Sequence, residues 1–330
     1  MKKILLIKTG AFGDMILTSL SVSIAHRVFP DCEMYLLTAS PYYGIYRDCP
    51  FIKDIFILPS KKNLLSFLEL TKKLRQKKFD IIFDLQGNLK TNFFSFLFGG
   101  KQRIGLYKKS AGRFFLTRAI KKKSNLNPIK LQKVFWKDVS GNEFQEKPQI
   151  WIDEKKSEEF NRFLVRNKLD ARNYVVFHPS ASPEWKTKLW ITENWITLGK
   201  FFSERNLKVV LVGDKNSMQL NHHIASSIKE NVINLSGKTD FSEVALLIKN
   251  SRMLITTDSG PMHIGAAMSI KTIALFGPTN PKIHCPPEVN SISAKIDCIF
   301  CYKKKCNDMS CMKSISPEIV ITEVSKIEKF

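Results

Sequence analysis

No stretch of this chain approaches the roughly 20 consecutive apolar residues that a membrane-spanning helix needs. The Phe-rich run Phe93-Phe94-Ser95-Phe96-Leu97-Phe98 is far too short. The opening segment places only Ile4-Leu5-Leu6-Ile7 between charged residues, where a secretory signal needs about 7–15 apolar residues. These two absences give the expectation of a cytoplasmic protein, soluble or held peripherally at a membrane. Low-complexity tracts and an internal repeat period are also missing, which excludes a solenoid. The first strand-to-helix turn, Gly10-Ala11-Phe12-Gly13-Asp14, lacks the Gly-x-Gly-x-x-Gly fingerprint and so argues against a nicotinamide enzyme. Between Asp84 and Asp138 there is no acidic residue at all, although Lys and Arg recur from Lys90 to Lys137 and cluster at Lys121-Lys122-Lys123.

What is present is a globular composition of 330 residues, 44% hydrophobic and 25% charged, long enough for two domains with their own cores. The net charge is +22. A one-signed field of this kind attracts phosphates, nucleic acid or acidic lipid headgroups; otherwise it is a compositional bias carried on solvated faces. Short apolar strands alternate with amphipathic helices: strands over 3–8, 33–38, 55–58 and 80–85, with helices over 15–29 and 64–77. A second series follows, with strands over 174–178, 208–212, 232–234, 253–257 and 272–276 and helices between them. A short strand over 149–152 and a charged helix over 154–168 lie in the joining region. The alternation predicts α/β architecture, two doubly wound, Rossmann-like domains facing a central cleft. The boundary falls near 150, giving domains 1–150 and 151–330.

Met253 to His263 is the most informative segment. A buried strand ends in the small-residue turn Asp258-Ser259-Gly260, and a helix begins with Pro261, where a missing N–H costs nothing. The free N–H groups of that first turn, with the positive end of the helix dipole, make an anion site. Gly260 lets a diphosphate approach, and Ser259 adds a hydroxyl. Asp14 reads from its position alone as either a helix cap or a carboxylate on the carboxyl-end rim of the sheet. His178, at a strand end, reads as a structural histidine; His263 reads as either a ligand contact or a packing residue.

These motifs, taken in order, resemble glycosyltransferase family 9, the ADP-heptose:lipopolysaccharide heptosyltransferases. The resemblance is carried by Asp258-Ser259-Gly260-Pro261-Met262-His263, Ala266-Ala267, Leu275-Phe276-Gly277-Pro278-Thr279-Asn280-Pro281, Gly13-Asp14, the segment from His178 to Trp195, and Cys311-Met312-Lys313-Ser314-Ile315-Ser316-Pro317-Glu318. It implies a GT-B fold with an acceptor-binding first domain and a nucleotide-sugar-binding second domain. The last helix, from about residue 317, would pack back on the first domain. It further implies inverting transfer of heptose from ADP-heptose to the lipopolysaccharide inner core, with Asp14 as base and Lys188 facing the leaving diphosphate. Gly13, Ser180, Ser182, Asp258, Ser259, Gly260, Pro261, Met262 and His263 would bind the donor.

No cofactor is expected for catalysis, because such enzymes usually stabilise the leaving group without a metal and no Asp-x-Asp motif is evident. The expected partners are the nucleotide sugar, a phosphorylated core acceptor facing the basic stretch, and the anionic inner leaflet; nucleic acid is not among them. One departure stands out. After the strand at 209–212 the family often has an acidic residue for the nucleotide sugar, whereas here Asp214 comes early and no Glu follows.

Cys298-x2-Cys301-x4-Cys306-x4-Cys311 admits three readings: a structural zinc site, four reduced thiols, or a knuckle-like nucleic-acid module beside Lys303-Lys304-Lys305. The functional alternatives are transfer of another nucleotide sugar to a cell-surface glycan, and a zinc-knuckle nucleic-acid-binding protein.

Overall fold

The computed structural model describes residues 1–59, 63–123 and 126–328. The chain divides into two compact units, Met1–Trp151 and Ile152–Phe330. The first contains β1 (Lys2–Ile7), α1 (Phe12–Val28), β2 (Cys32–Ala39), α2 (Tyr43–Tyr46), β3 (Asp54–Leu58), α3 (Leu64–Lys77), β4 (Ile81–Asp84), α4 (Leu89–Phe98), β5 (Gln102–Tyr107), β6 (Arg118–Lys121) and α5 (Pro128–Ser140). Its sheet has the order β3-β2-β1-β4-β5-β6, with all pairs parallel. The central strands are buried on both faces, which is why Ile4–Ile7 and Ile81–Phe83 are continuous apolar runs rather than alternating ones. Helix α1 is buried nearly all round from Met15 to Ala25, and Ser21 joins it to α5 by a buried hydrogen bond to Gln132 of 2.6 Å.

The second unit contains α6 (Glu154–Arg166), β7 (Tyr174–His178), α7 (Thr192–Ser203), β8 (Lys208–Leu211), α8 (Met218–Ile228), β9 (Val232–Asn234), α9 (Phe241–Asn250), β10 (Met253–Thr257), α10 (Gly260–Ala267), β11 (Thr272–Phe276), α11 (Pro281–His284), β12 (Asn290–Ser293), α12 (Ser310–Lys313) and α13 (Pro317–Ile327). Its parallel order is β12-β11-β10-β7-β8-β9. Each sheet therefore reverses its winding once, between β1 and β4 in the first unit and between β7 and β10 in the second. Such switch points open a crevice beyond the carboxyl ends of the strands, and the turns that follow β1, β4, β7 and β10 carry the chemistry described below. The architecture is a GT-B fold.

Several elements differ from the sequence expectation. Residues 149–152 form no strand; the Gln149 N–H donates to Ser19 Oγ at 2.8 Å, so this backbone is held by a side chain instead of a ladder. Strands β5 and β6 lie inside the acid-free stretch, and β12 pairs with β11 despite its Asn and Ser content. The last helix, α13, seats Val320 and Val324 in the second unit's core beside Trp195 and Met312.

Candidate active site

In the first unit, β1 delivers Lys8 and the start of α1 delivers Asp14. Asp14 is not the cap of this helix. The N-cap position is Ala11, without a side-chain cap bond, and the Asp14 carboxylate instead meets Lys8 Nζ at 3.3 Å. Lys8 is only 7% exposed. Gly13 lies beside Asp14 in the same first turn. The turn requires glycine at position 10, where φ is +144° and a Cβ would come within 3.1 Å of the Tyr42 hydroxyl. Burial, together with the Asp14 charge, raises the Tyr42 phenol, so this group is a neutral hydroxyl near the carboxylate.

The turn after β4 completes the rim. Asp84 is fully buried and accepts from the Gln86 and Gly87 N–H groups, each at 3.0 Å, and from Asn92 Nδ2 at 2.7 Å. Burial still pushes its carboxyl up to about 6, against those hydrogen bonds. The ordered Gln86 reaches back to the Thr9 N–H at 3.2 Å, while its carbonyl lies 3.5 Å from Lys122 Nζ. Burial, and then the neighbouring Lys8 charge, lower the Lys122 amine. Lys8, Tyr42, Asp84 and Gln86 carried no site assignment in the sequence, whereas Lys122 stood out there only as part of the basic cluster Lys121-Lys122-Lys123. A Lys or Asp directly after a buried apolar strand is the signal that marks Lys8 and Asp84.

In the second unit, Lys188 ends the 3-10 turn Pro183–Lys188 and pairs with Asp258 at 2.7 Å, with side chains 15% and 8% exposed. Its Nζ also sits 4.7 Å from the Trp185 ring centre, and Thr279 Oγ1 donates to Asp258 at 2.5 Å. Lys186, two residues earlier, is exposed. Ser259 occupies the N-cap of α10 but makes no cap bond. Its hydroxyl lies 3.1 Å from His178 Nδ1 and 2.9 Å from Thr256 Oγ1. His178 Nε2 lies 3.0 Å from Ser180 Oγ.

Burial pushes the His178 ring down to about 4, against a smaller upward pull from Asp214, so it is neutral at pH 7. A neutral imidazole has one N–H and one acceptor nitrogen, so it links the Ser180 and Ser259 hydroxyls in one directed chain. The N-terminus of α10 thus lacks a cap from its own serine, at the switch point, with a cation beside it. That combination suits a diphosphate. The structure brings Ser180, Lys188, Asp258 and Ser259 together. Gly260 opens the helix, Pro261 and Met262 are buried beneath it, His263 is half-buried, and Ser182 is exposed. Asp214 is committed to its own turn, accepting from Ser217 N and Asn216 Nδ2 at 3.1 and 2.9 Å.

Residues 67–313 match the model of glycosyltransferase family 9 (heptosyltransferase). The chain belongs to glycosyltransferase family 9. Among its relatives is lipooligosaccharide heptosyltransferase 2 of Haemophilus influenzae, 24% identical over 299 residues that cover 86% of this chain and 85% of that one. Among solved structures, a family 9 glycosyl transferase from Veillonella parvula superposes with a TM-score of 0.88 at 20% identity, covering 99% and 97% of the two chains. An Escherichia coli heptosyltransferase solved with ADP-2-deoxy-2-fluoro heptose superposes at 0.79 and 16% identity, covering 99% and 100%.

In this family 9 glycosyltransferase the cysteine-rich segment is part of the second unit, not a separate nucleic-acid module. Cys311 and Met312 belong to the unit's core, and Thr187 Oγ1, next to Lys188, donates to the Lys303 carbonyl at 2.8 Å. Cys298, Cys301 and Cys306 are exposed and Cys311 is buried. Burial first, and then the other three sulfurs, raise the Cys311 thiol. Among the described residues no group of three or more His, Cys, Asp or Glu is placed to hold a metal ion.

Proposed function

We propose that this glycosyltransferase moves heptose from ADP-heptose to the lipopolysaccharide inner core with inversion at the anomeric carbon. The observation that carries the donor half is the Lys188–Asp258 pair beside the N-terminus of α10, which its own N-cap serine does not cap. In this reading Lys188 and the α10 N–H groups hold the diphosphate and take up the charge that grows as it leaves. Asp14 accepts the proton of the attacking acceptor hydroxyl. A bond forms between that oxygen and the anomeric carbon as the bond from this carbon to the diphosphate breaks on the opposite face. Lys8 orients Asp14 through their ion pair, and Lys122 with the neighbouring Lys121 and Lys123 faces the phosphorylated acceptor.

The names of the relatives support heptose and the lipopolysaccharide core. A donor built on another nucleotide is the second reading, favoured by one observation: Asp214, the acidic residue after β8, is already engaged by its own turn. Titration of the purified protein with ADP, UDP and GDP separates the two. Tight binding of ADP alone, weakened by Lys188→Ala, agrees with the proposal. Preference for UDP or GDP would replace the donor.

A further inference from the structure

Helix α4 is apolar on two sides. Phe94 and Phe98 enter the core, whereas Leu89, Phe93 and Phe96, spaced i, i+4 and i+7, form a second stripe that is exposed, Phe96 by 51%. A soluble helix ordinarily turns charge, not phenylalanine, towards water. The 3-10 turn Ser110–Phe115 extends the stripe: Phe115 packs edge-on to Phe93 with ring centres 5.2 Å apart, and Phe114 stands 79% exposed. Helix α3 packs on α4 through Phe67, 4.7 Å from Phe94, and exposes Leu64, Leu65 and Leu68.

Cations border this apolar surface. Arg103 lies over the Phe96 ring at 5.7 Å, and Lys90, Lys109 and Arg113 are exposed without a carboxylate partner among the described residues. Other cations of the acid-free stretch do have partners outside it, as in Lys101–Asp80 and Arg118–Asp138. On α4 and the 108–115 segment every charge, Lys90, Lys108, Lys109 and Arg113, is basic.

We infer that the α4 stripe and the 110–115 turn form a docking surface for an anionic lipid bilayer, with the phenylalanines entering the headgroup boundary and the cations meeting acidic headgroups. Aromatic and aliphatic side chains ringed by Lys and Arg match that interface in both chemistry and charge. A second copy of this chain fits poorly, because pairing the surface with itself brings its cations face to face. The placement also suits a lipid-borne acceptor, and in that respect it rests on the proposed reaction. Helix α4 starts directly after the Asp84–Asn88 turn, whose Gln86 contacts Thr9 on the rim that carries Asp14.

The test is co-sedimentation of the full chain with vesicles of phosphatidylcholine, with and without phosphatidylglycerol, alongside transfer to a short water-soluble acceptor. Phe93→Ser/Phe96→Ser/Phe114→Ser should weaken binding to the anionic vesicles by about tenfold or more and remove the part that survives high salt. Phe114→Ser alone, at a side chain that stands mostly in water, should weaken it in the same direction without disturbing the fold. Lys90→Gln/Lys109→Gln/Arg113→Gln should lose the salt-sensitive part. Transfer to the soluble acceptor should be unchanged in the two apolar variants. Vesicle binding equal to wild type in the apolar variants would overturn the inference, as would a dimer that the same substitutions dissociate. Vesicle binding that depends on Phe114 in a protein with no transfer to any acceptor would support the surface and overturn the reaction alone.

Discussion

Lys188 and Asp258 form an ion pair of 2.7 Å with both side chains largely withdrawn from water, and the turn that holds Asp258 leads directly into α10. A charge pair so placed is costly to break, since removing one partner strands the other. In the proposed reaction it stores a cation beside the N-terminus of α10, in the orientation that a diphosphate needs. Lys188→Ala should lower donor affinity and turnover together, turnover by about 10²-fold, the scale seen on losing one oxyanion donor. It should also lower stability by about 1–3 kcal/mol through the stranded carboxylate. Lys186→Ala, at an exposed residue, should leave both properties near wild type. Calorimetric donor titration and thermal melts of the two variants check this, and the reverse ranking would move the cation by two residues.

Asp14→Asn should reduce turnover by about 10²-fold or more with donor affinity nearly unchanged, because in the proposed reaction the carboxylate acts on the acceptor hydroxyl. Lys8→Gln should lower turnover less and again spare donor affinity, since Lys8 acts through Asp14. Single-turnover rates measured beside donor affinity separate these effects. An Asp14→Asn rate within a few-fold of wild type would reduce Asp14 to a helix-dipole partner.

Two buried groups make opposite contributions to stability in acid. The His178 ring falls from 6.5 to about 4 on folding, so its contribution is complete above pH 6.5 and is lost as pH falls towards 4. The Asp84 carboxyl rises from 3.8 to about 6, so its contribution is complete below pH 3.8 and is lost as pH rises through about 6. His178→Gln should therefore flatten the loss of stability between pH 6.5 and 4, by on the order of 1 kcal/mol per pKa unit. Asp84→Asn should remove the opposing slope and so steepen that loss. Denaturant melts across this pH range decide it; parallel curves for wild type and both variants would contradict the burial argument.

The four cysteines should differ from one another. Cys311→Ala opens space in the core of the second unit, where Cys311 is 7% exposed, and should cost about 1 kcal/mol or more. Cys298→Ala, at an exposed position, should cost almost nothing. Equal losses at all four positions, with about one zinc per chain by elemental analysis, would instead establish the tetrahedral site.

The α/β alternation was legible because buried parallel strands leave continuous apolar runs such as Ile4–Ile7 and Met253–Ile255, each ending in a turn of small residues. The anion-binding turn at Asp258–Gly260 was legible for the same reason: its strand, turn and helix are contiguous. The rim around Asp14 was not. Lys8, Tyr42, Gln86 and Lys122 come from four separated segments, and only the sheet order β2-β1-β4-β5-β6 and the turns beyond its strands bring them near Asp14. Strands β5 and β6 were hidden by the charge of their surroundings. In β6 the residues Arg118, Ala119 and Lys121 are exposed at the sheet edge, where lysine and arginine discourage further pairing.

The most direct measurement is a mass-spectrometric transfer assay in which the purified protein meets truncated lipopolysaccharide and a panel of nucleotide sugars. One heptose should be added to the core from ADP-heptose, with release of ADP, and none should be added by Asp14→Asn. Transfer from a different nucleotide sugar, or undiminished heptose transfer by Asp14→Asn, would contradict the proposed reaction.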